Sequence, residues 1–276
     1  MSTLYAIVGA IFDALFAPFS ELPAWVTLVP ISVAFTILAL QVVKWTSNQD
    51  AVNRAKEQWQ SGIFEIRLFN DDIGAIFRAM GRIFLNVAKQ ISLLVVPLLW
   101  MAVPFAIVMG QMEVKYSYSG LPVGEAVLLK VTLKGDGDPT APDPGLRLEA
   151  PAGVDVQTPA IWVPARDEVL WRIAPTQPGD YDLKLVESSG ETTTKTLVSQ
   201  DGIVRRSPYR TTRFWTQLLF PGEAPLPADG RVQEISLPYP GQTVNLLGIE
   251  LHWLFQFFIL TVILAFALRG PMKVTF

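Results

Sequence analysis

Three stretches of the chain, 24–43, 91–110 and 251–268, carry no Asp, Glu, Lys or Arg at all. At ~1.5 Å per residue, each reaches across most or all of the ~30 Å hydrocarbon core of a bilayer. They predict transmembrane helices, with interface residues included, over 23–45, 90–111 and 251–268. The middle one, ISLLVVPLLWMAVPFAIVMG, contains Pro97 and Pro104. Such prolines are tolerated in lipid where neighbouring helices or polar groups take up the freed carbonyls. This span is therefore expected to be kinked and packed against partners.

Before the first span, Leu4, Ile7, Val8, Ile11, Phe12, Leu15 and Phe19 recur at three- and four-residue spacing. That period predicts an amphipathic helix within 1–22, lying in the membrane interface; a helix packed against the spans would give the same pattern. The segment lacks a basic n-region and a small-x-small cleavage site, so it does not read as a signal peptide.

Residues 46–89 have a helical period in a polar setting. Ala51, Val52, Ala55 and Trp59 predict one amphipathic helix, and Asn70-Asp71-Asp72 offers a cap with acids in the following first turn. From there Ile73, Ile76, Phe77, Met80, Ile83, Phe84 and Val87 form a stripe with no proline before the second span. A helical hairpin is expected, its second helix running straight into that span.

From Met112 the period changes to two. EVKYSYS, EAVLLKVTLK, LRLEA, VDVQT, EVLWRIA, DYDLKLV and ETTTKTLV are separated by Gly- and Pro-rich turns such as GDGDPTAPDPG. Seven short strands in ~90 residues predict an all-β immunoglobulin-like sandwich over 112–200. Pro178-Gly179-Asp180-Tyr181 resembles a tyrosine corner, with Trp171 and Leu183 as core candidates. Residues 201–250 read as an irregular, proline-rich return to the membrane. There Arg205, Arg206, Arg210 and Arg213 lead into FWTQLLF, and Arg210, Arg213, Phe214 and Trp215 are candidates for the membrane surface. The arginines suit lipid headgroups or an acidic partner, or equally the β domain's own acids.

Charge sets the expected orientation. No Lys or Arg precedes Lys44, whereas 44–89 contains seven, and Arg269 and Lys273 follow the third span. The positive-inside rule places the hairpin and the tail (269–276) in the cytoplasm. The N-terminus and β domain then lie outside a plasma (inner) membrane. Mean hydropathy is +0.34, and the net charge of −3 gives no bulk attraction to nucleic acid.

Catalytic chemistry is not evident. Cysteine is absent and His252 is the single histidine. Asp136, Asp138 and Asp143 lack EF-hand spacing and read as a hairpin tip. No phosphate loop, GxSxG or dinucleotide fingerprint occurs, so neither an enzyme nor a cofactor is expected. What remains is polarity within the apolar helices: Gln41, Lys44, Lys89, Gln90 and Gln256. Such groups are costly in lipid unless they face a bundle interior or water. The first four fall on the cytoplasmic side, where they either line a shallow polar dent or, for the lysines, simply snorkel.

IFDALFAPFSELPAWVTLVPISVAF, the charged hairpin, the proline-bearing second span and LGIELHWLFQFFILTVILAFALRGPMKV together resemble the YidC/Oxa insertase superfamily. The nearest branch is that of archaeal YidC-like proteins and the third subunit of the ER membrane protein complex. The resemblance covers roughly 5–112 and 245–276. It implies a three-helix core, a cytoplasmic coiled coil that meets ribosomes or substrate, and a hydrophilic groove for nascent membrane proteins. Many members carry a basic residue in the groove; Lys44, with Gln41 one turn earlier, is the nearest match. The sandwich is not part of that family core. The alternative expectation is a scaffold whose sandwich binds an envelope protein.

Overall fold

The structure, a computed structural model, describes residues 9–14, 22–68, 72–135, 137–246 and 248–274. Its helices are α1 (Ala24–Thr46), α2 (Gln49–Leu68), α3 (Ile73–Tyr116), α4 (Phe214–Leu219) and α5 (Trp253–Met272), and residues 9–14 are also helical. Helices α1, α3 and α5 are long and apolar enough to cross a membrane, the make-up of a multi-pass membrane protein. The chain divides into two compact units: 1–27 with 106–253, and 28–105 with 254–276.

In the second unit, α2 and the first half of α3 form the expected hairpin. Its seam is made of small residues. Ala55 and Ala79 are buried, and a Cβ on Gly62 would meet Ile83 Cγ1 at 2.6 Å. Across the seam Arg82 pairs with Glu65. As expected, α3 runs unbroken from the hairpin into the apolar stretch, and at 44 residues it is ~66 Å long. Of the expected cap, Asn70 and Asp71 lie outside the described residues, as do Leu4, Ile7, Val8, Leu15 and Phe19 of the N-terminal stripe. Phe35 of α1 meets Phe105 of α3 and Phe257 of α5, with ring centroids 6.0 and 5.4 Å apart.

The first unit holds two antiparallel sheets on one core. Strands β1 (Val127–Leu133), β2 (Arg147–Glu149), β3 (Val154–Val156), β5 (Glu168–Pro175), β6 (Asp180–Val186) and β7 (Thr192–Val198) fall on the predicted runs. Strand β4 (Ile161–Val163) adds to β5. One sheet has the order β3-β5-β1-β9-β8, with β8 at Tyr209–Thr211 and β9 at Val232–Ser236, and the other β2-β6-β7. Their inward residues meet: Leu129 and Val131 from β1, Trp171 from β5, and Leu183, Leu185 and Leu197 from β6 and β7. Tyr181 Oη donates to the carbonyl of Gln177 at 2.9 Å. The Tyr181 ring lies over Gly153, where φ is +109° and a Cβ would sit 2.4 Å from Cε1.

Two expectations are corrected. EVKYSYS does not begin as a strand, because α3 continues to Tyr116. Residues 111, 112 and 114–117 are all buried, so the alternation of polar and apolar types there does not mark a solvated face. The β region also does not end at 200. Strands β8 (Tyr209–Thr211) and β9 (Val232–Ser236) complete the larger sheet. A register shift between Thr132 and Leu133 turns Val232 and Ile235, three residues apart, to the same buried side. That bulge hides the period of two. A further hairpin, β10 (Val244–Leu246) with β11 (Ile249–Leu251), leads into α5.

The smaller sheet contains an ion pair. Lys195 of β7 faces inward, fully buried, and its ammonium donates to the Ser207 carbonyl at 2.6 Å and to the Glu223 carboxylate. Burial pulls this amine below the ordinary lysine range, and Glu223 opposes that pull. Removing one partner of such a pair strands the other charge. Glu223→Gln is therefore expected to cost about 3–5 kcal/mol, read as a lower melting temperature. The double replacement Lys195→Met with Glu223→Leu should recover most of that loss, and an equal loss in both variants would contradict the assignment.

Candidate functional site

The polar residues of the apolar helices lie in the second unit. Lys44 and Lys89 are exposed, and Gln41 and Gln90 are half-buried. Gln90 Oε1 accepts the indole N–H of Trp59 at 2.9 Å, which fastens the base of the hairpin. Gln256 is buried. The layer of Phe35, Phe105 and Phe257 fixes their heights. Gln256 adjoins Phe257 within that layer. Gln41 is six residues from Phe35 and Gln90 fifteen from Phe105, so they stand ~9 and ~22 Å from it along their helices. The structure thus spreads the three glutamines over three levels.

Among the exposed residues of α3 a different feature stands out. Ile73, Phe77, Met80, Phe84, Ile91 and Leu98 are all exposed, Phe77 and Phe84 by 70 and 73%. Successive residues turn ~100° about a helix axis, so these six share one stripe. The seam with α2, around Ala79 and Ile83, lies ~110° round the helix from the middle of that stripe. Arg78, Arg82 and Lys89, all exposed, follow a line ~100–140° round from Phe77. From Ile73 to Leu98 the stripe measures ~37 Å, more than the ~30 Å bilayer core. The sequence pattern revealed these apolar positions, but not that α2 packs to one side of them and leaves them open.

In the first unit the end of α3 is enclosed by polar contacts. Tyr116 bonds Thr27, and Trp253 Nε1 donates to Ser117 Oγ at 2.6 Å. His252 Nε2 is 3.5 Å from the same hydroxyl, so the lone histidine is part of this junction. Lys115, nearly buried, meets Asp13 at 2.8 Å, and Arg205 meets the same carboxylate at 3.0 Å.

The arginines of the return segment separate. Arg206 is fully buried and donates to the carbonyls of Tyr118, Gly202 and Gln200. Arg210 is turned onto the β domain, donating to the Ala224 carbonyl at 2.9 Å and to Thr194 Oγ1 at 3.0 Å. Arg213, just before α4, and Phe214 and Trp215, at its start, are exposed. That helix rests on α3: a Cβ on Gly110 would stand 2.2 Å from the Leu218 carbonyl oxygen. A hollow of about 540 Å³ lies at the β2 edge, with Arg147 and Glu187 in its lining. Among the described residues no three His, Asp or Glu side chains gather in a group able to hold a metal.

Compared with protein-family models, curated proteins and solved structures, the chain matches none.

Two glycines of α3 test this packing with opposite signs. Gly110→Ala forces the Leu218 carbonyl aside and should cost about 1–3 kcal/mol. Gly81→Ala meets nothing within 4 Å and should stabilise the helix by about 0.5–1 kcal/mol. Thermal unfolding of the full chain in detergent reads both, and a shift of the same sign for the two would contradict the seat of α4 on α3.

Proposed function

We propose that the chain is a YidC-like membrane-protein insertase or assembly factor, with an immunoglobulin-like domain on the outer side of a plasma membrane. The single observation that carries this reading is the open apolar stripe of α3. It is continuous from the hairpin into the span, and it gives an emerging apolar segment one unbroken surface to follow into the bilayer. Exposed apolar patches of this extent mark interaction sites. The exposed basic line of Arg78, Arg82 and Lys89 suits the cytoplasmic side; Arg78 and Arg82 already pair with Asp72 and Glu65, and Lys89 would attract acidic groups of a ribosome or client. The bond from Tyr181 to the Gln177 carbonyl, and two sheets on one core, support the immunoglobulin-like assignment.

The spread of Gln41, Gln90 and Gln256 over three levels favours a second reading. In it the helices are a scaffold and the β domain binds an envelope protein. The two readings part experimentally. Photo-crosslinkers at Phe77, Phe84 and Leu98 should each capture a nascent single-span client in a translation system supplied with membranes. Phe77→Glu with Phe84→Glu should weaken capture at Leu98 roughly a hundredfold or more, the equivalent of losing two buried aromatic rings at ~1.5–3 kcal/mol each. No adducts at any of the three sites, with client insertion unchanged in the double variant, would favour the scaffold.

A further inference from the structure

We infer that α4 is an interfacial foot that seats the β domain in the lipid: Phe214, Trp215 and Leu219 enter the headgroup–acyl boundary of the leaflet on that side, with Arg213 at the phosphates. The inference uses the first unit only and does not depend on the insertase reading.

Height along α3 carries it. The charged layer at the end of this helix is Lys115 with Asp13 and Arg205, which fits water or headgroups. Gly110, against which Leu218 is packed, lies five residues toward the apolar run, ~7–8 Å deeper. That is the depth, about 5–10 Å, at which interfacial helices bury their apolar face. At this depth α4 leaves Phe214, Leu219 and above all Trp215 (74%) exposed, while Gln217, on the other side, is buried. Gln217 Nε2 donates inward to the Glu223 carbonyl at 2.7 Å, so the helix is held in one rotation.

Two other stretches add apolar side chains at the same end. Trp25, two residues before the Thr27 that bonds Tyr116, is exposed. So is Ile11, on the helical segment tied by Asp13 to Lys115. Three separate parts of the chain that contact the end of a membrane-spanning helix therefore carry exposed apolar groups, two of them tryptophans. Tryptophans are enriched at membrane–water interfaces. Lipid is the occupant that meets all three at once, because it already surrounds the span they adjoin.

The absence of cysteine makes the test direct. The full chain carrying Trp215→Cys or Leu219→Cys is nitroxide-labelled and reconstituted in vesicles of phosphatidylethanolamine and phosphatidylglycerol. Collision with oxygen and with a water-soluble nickel chelate is then measured. Leu98→Cys serves as the reference within the span and Ser189→Cys as the reference on an exposed β turn. The labels at 215 and 219 are expected to collide with the chelate roughly tenfold less than the one at 189 while staying open to oxygen. As a second readout that keeps Trp215, bromine-labelled lipid should quench the wild type more than Trp215→Phe. Chelate collision equal to that at Ser189 would overturn the inference. So would labels shielded from both reagents, which would mean that protein rather than lipid covers the patch.

Discussion

Inside a bilayer no water is available for the peptide groups, so every backbone N–H and C=O must find its partner within the chain. A helix meets that demand locally, and α1, α3 and α5 are the result. The consequence is most visible in α3. It is ~66 Å long, about twice the ~30 Å hydrocarbon core, and it is unbroken. It therefore has to suit lipid over part of its length and something else beyond it, with a single helical geometry throughout. Pro97 and Pro104 lie in the apolar part and leave the helix continuous.

The two ends of α3 answer this differently. Toward Tyr116 the helix is closed in. Lys115 is paired, Tyr116 and Ser117 bond side chains from distant parts of the chain, and the Val114 carbonyl accepts the Arg206 amide at 2.7 Å. Arg206 and Lys195 are buried too: the Arg206 Nη atoms donate to carbonyls, with Nε left unpartnered, and Lys195 donates to a carbonyl and to the Glu223 carboxylate, offsetting the cost of buried charge. Toward Ile73 the helix is closed on one side only. Ala55, Gly62 and Ala79 let α2 approach closely, and the apolar stripe round from that seam is left open. One end is thus built as a joint and the other as a surface.

Much of this was legible in the sequence because it rests on period. Long runs without charge gave the three spanning helices. The 3-4 rhythm of Ile73 to Val87 gave the hairpin and its continuity with the span, and alternation gave six of the strands. What escaped were features created by tertiary contact. Residues 111–116 alternate like a strand but are helical, and all of them except the half-buried Glu113 are covered by neighbours. Strand β9 was hidden by a bulge opposite Leu133. Lys195 looks like a solvated position in ETTTKTLV, yet its register turns it inward to Glu223. The polar residues of the spans stand out in the sequence, but their heights follow from helix contacts that no local pattern records. Gln90 in particular belongs to Trp59.

The central claim is that the apolar stripe of α3 passes from water into lipid along one face of one helix. Single cysteines placed at 73, 77, 80, 84, 88, 91, 95 and 98 of the otherwise cysteine-free chain, each treated with a charged maleimide in native membranes, test it directly. The account predicts ready labelling from 73 to 84 and protection from 91 onward, with the change completed within about two turns. Protection reaching back to 73 would place the hairpin's stripe in the membrane or under a permanent partner, and labelling throughout would mean that α3 does not span; either result contradicts the account.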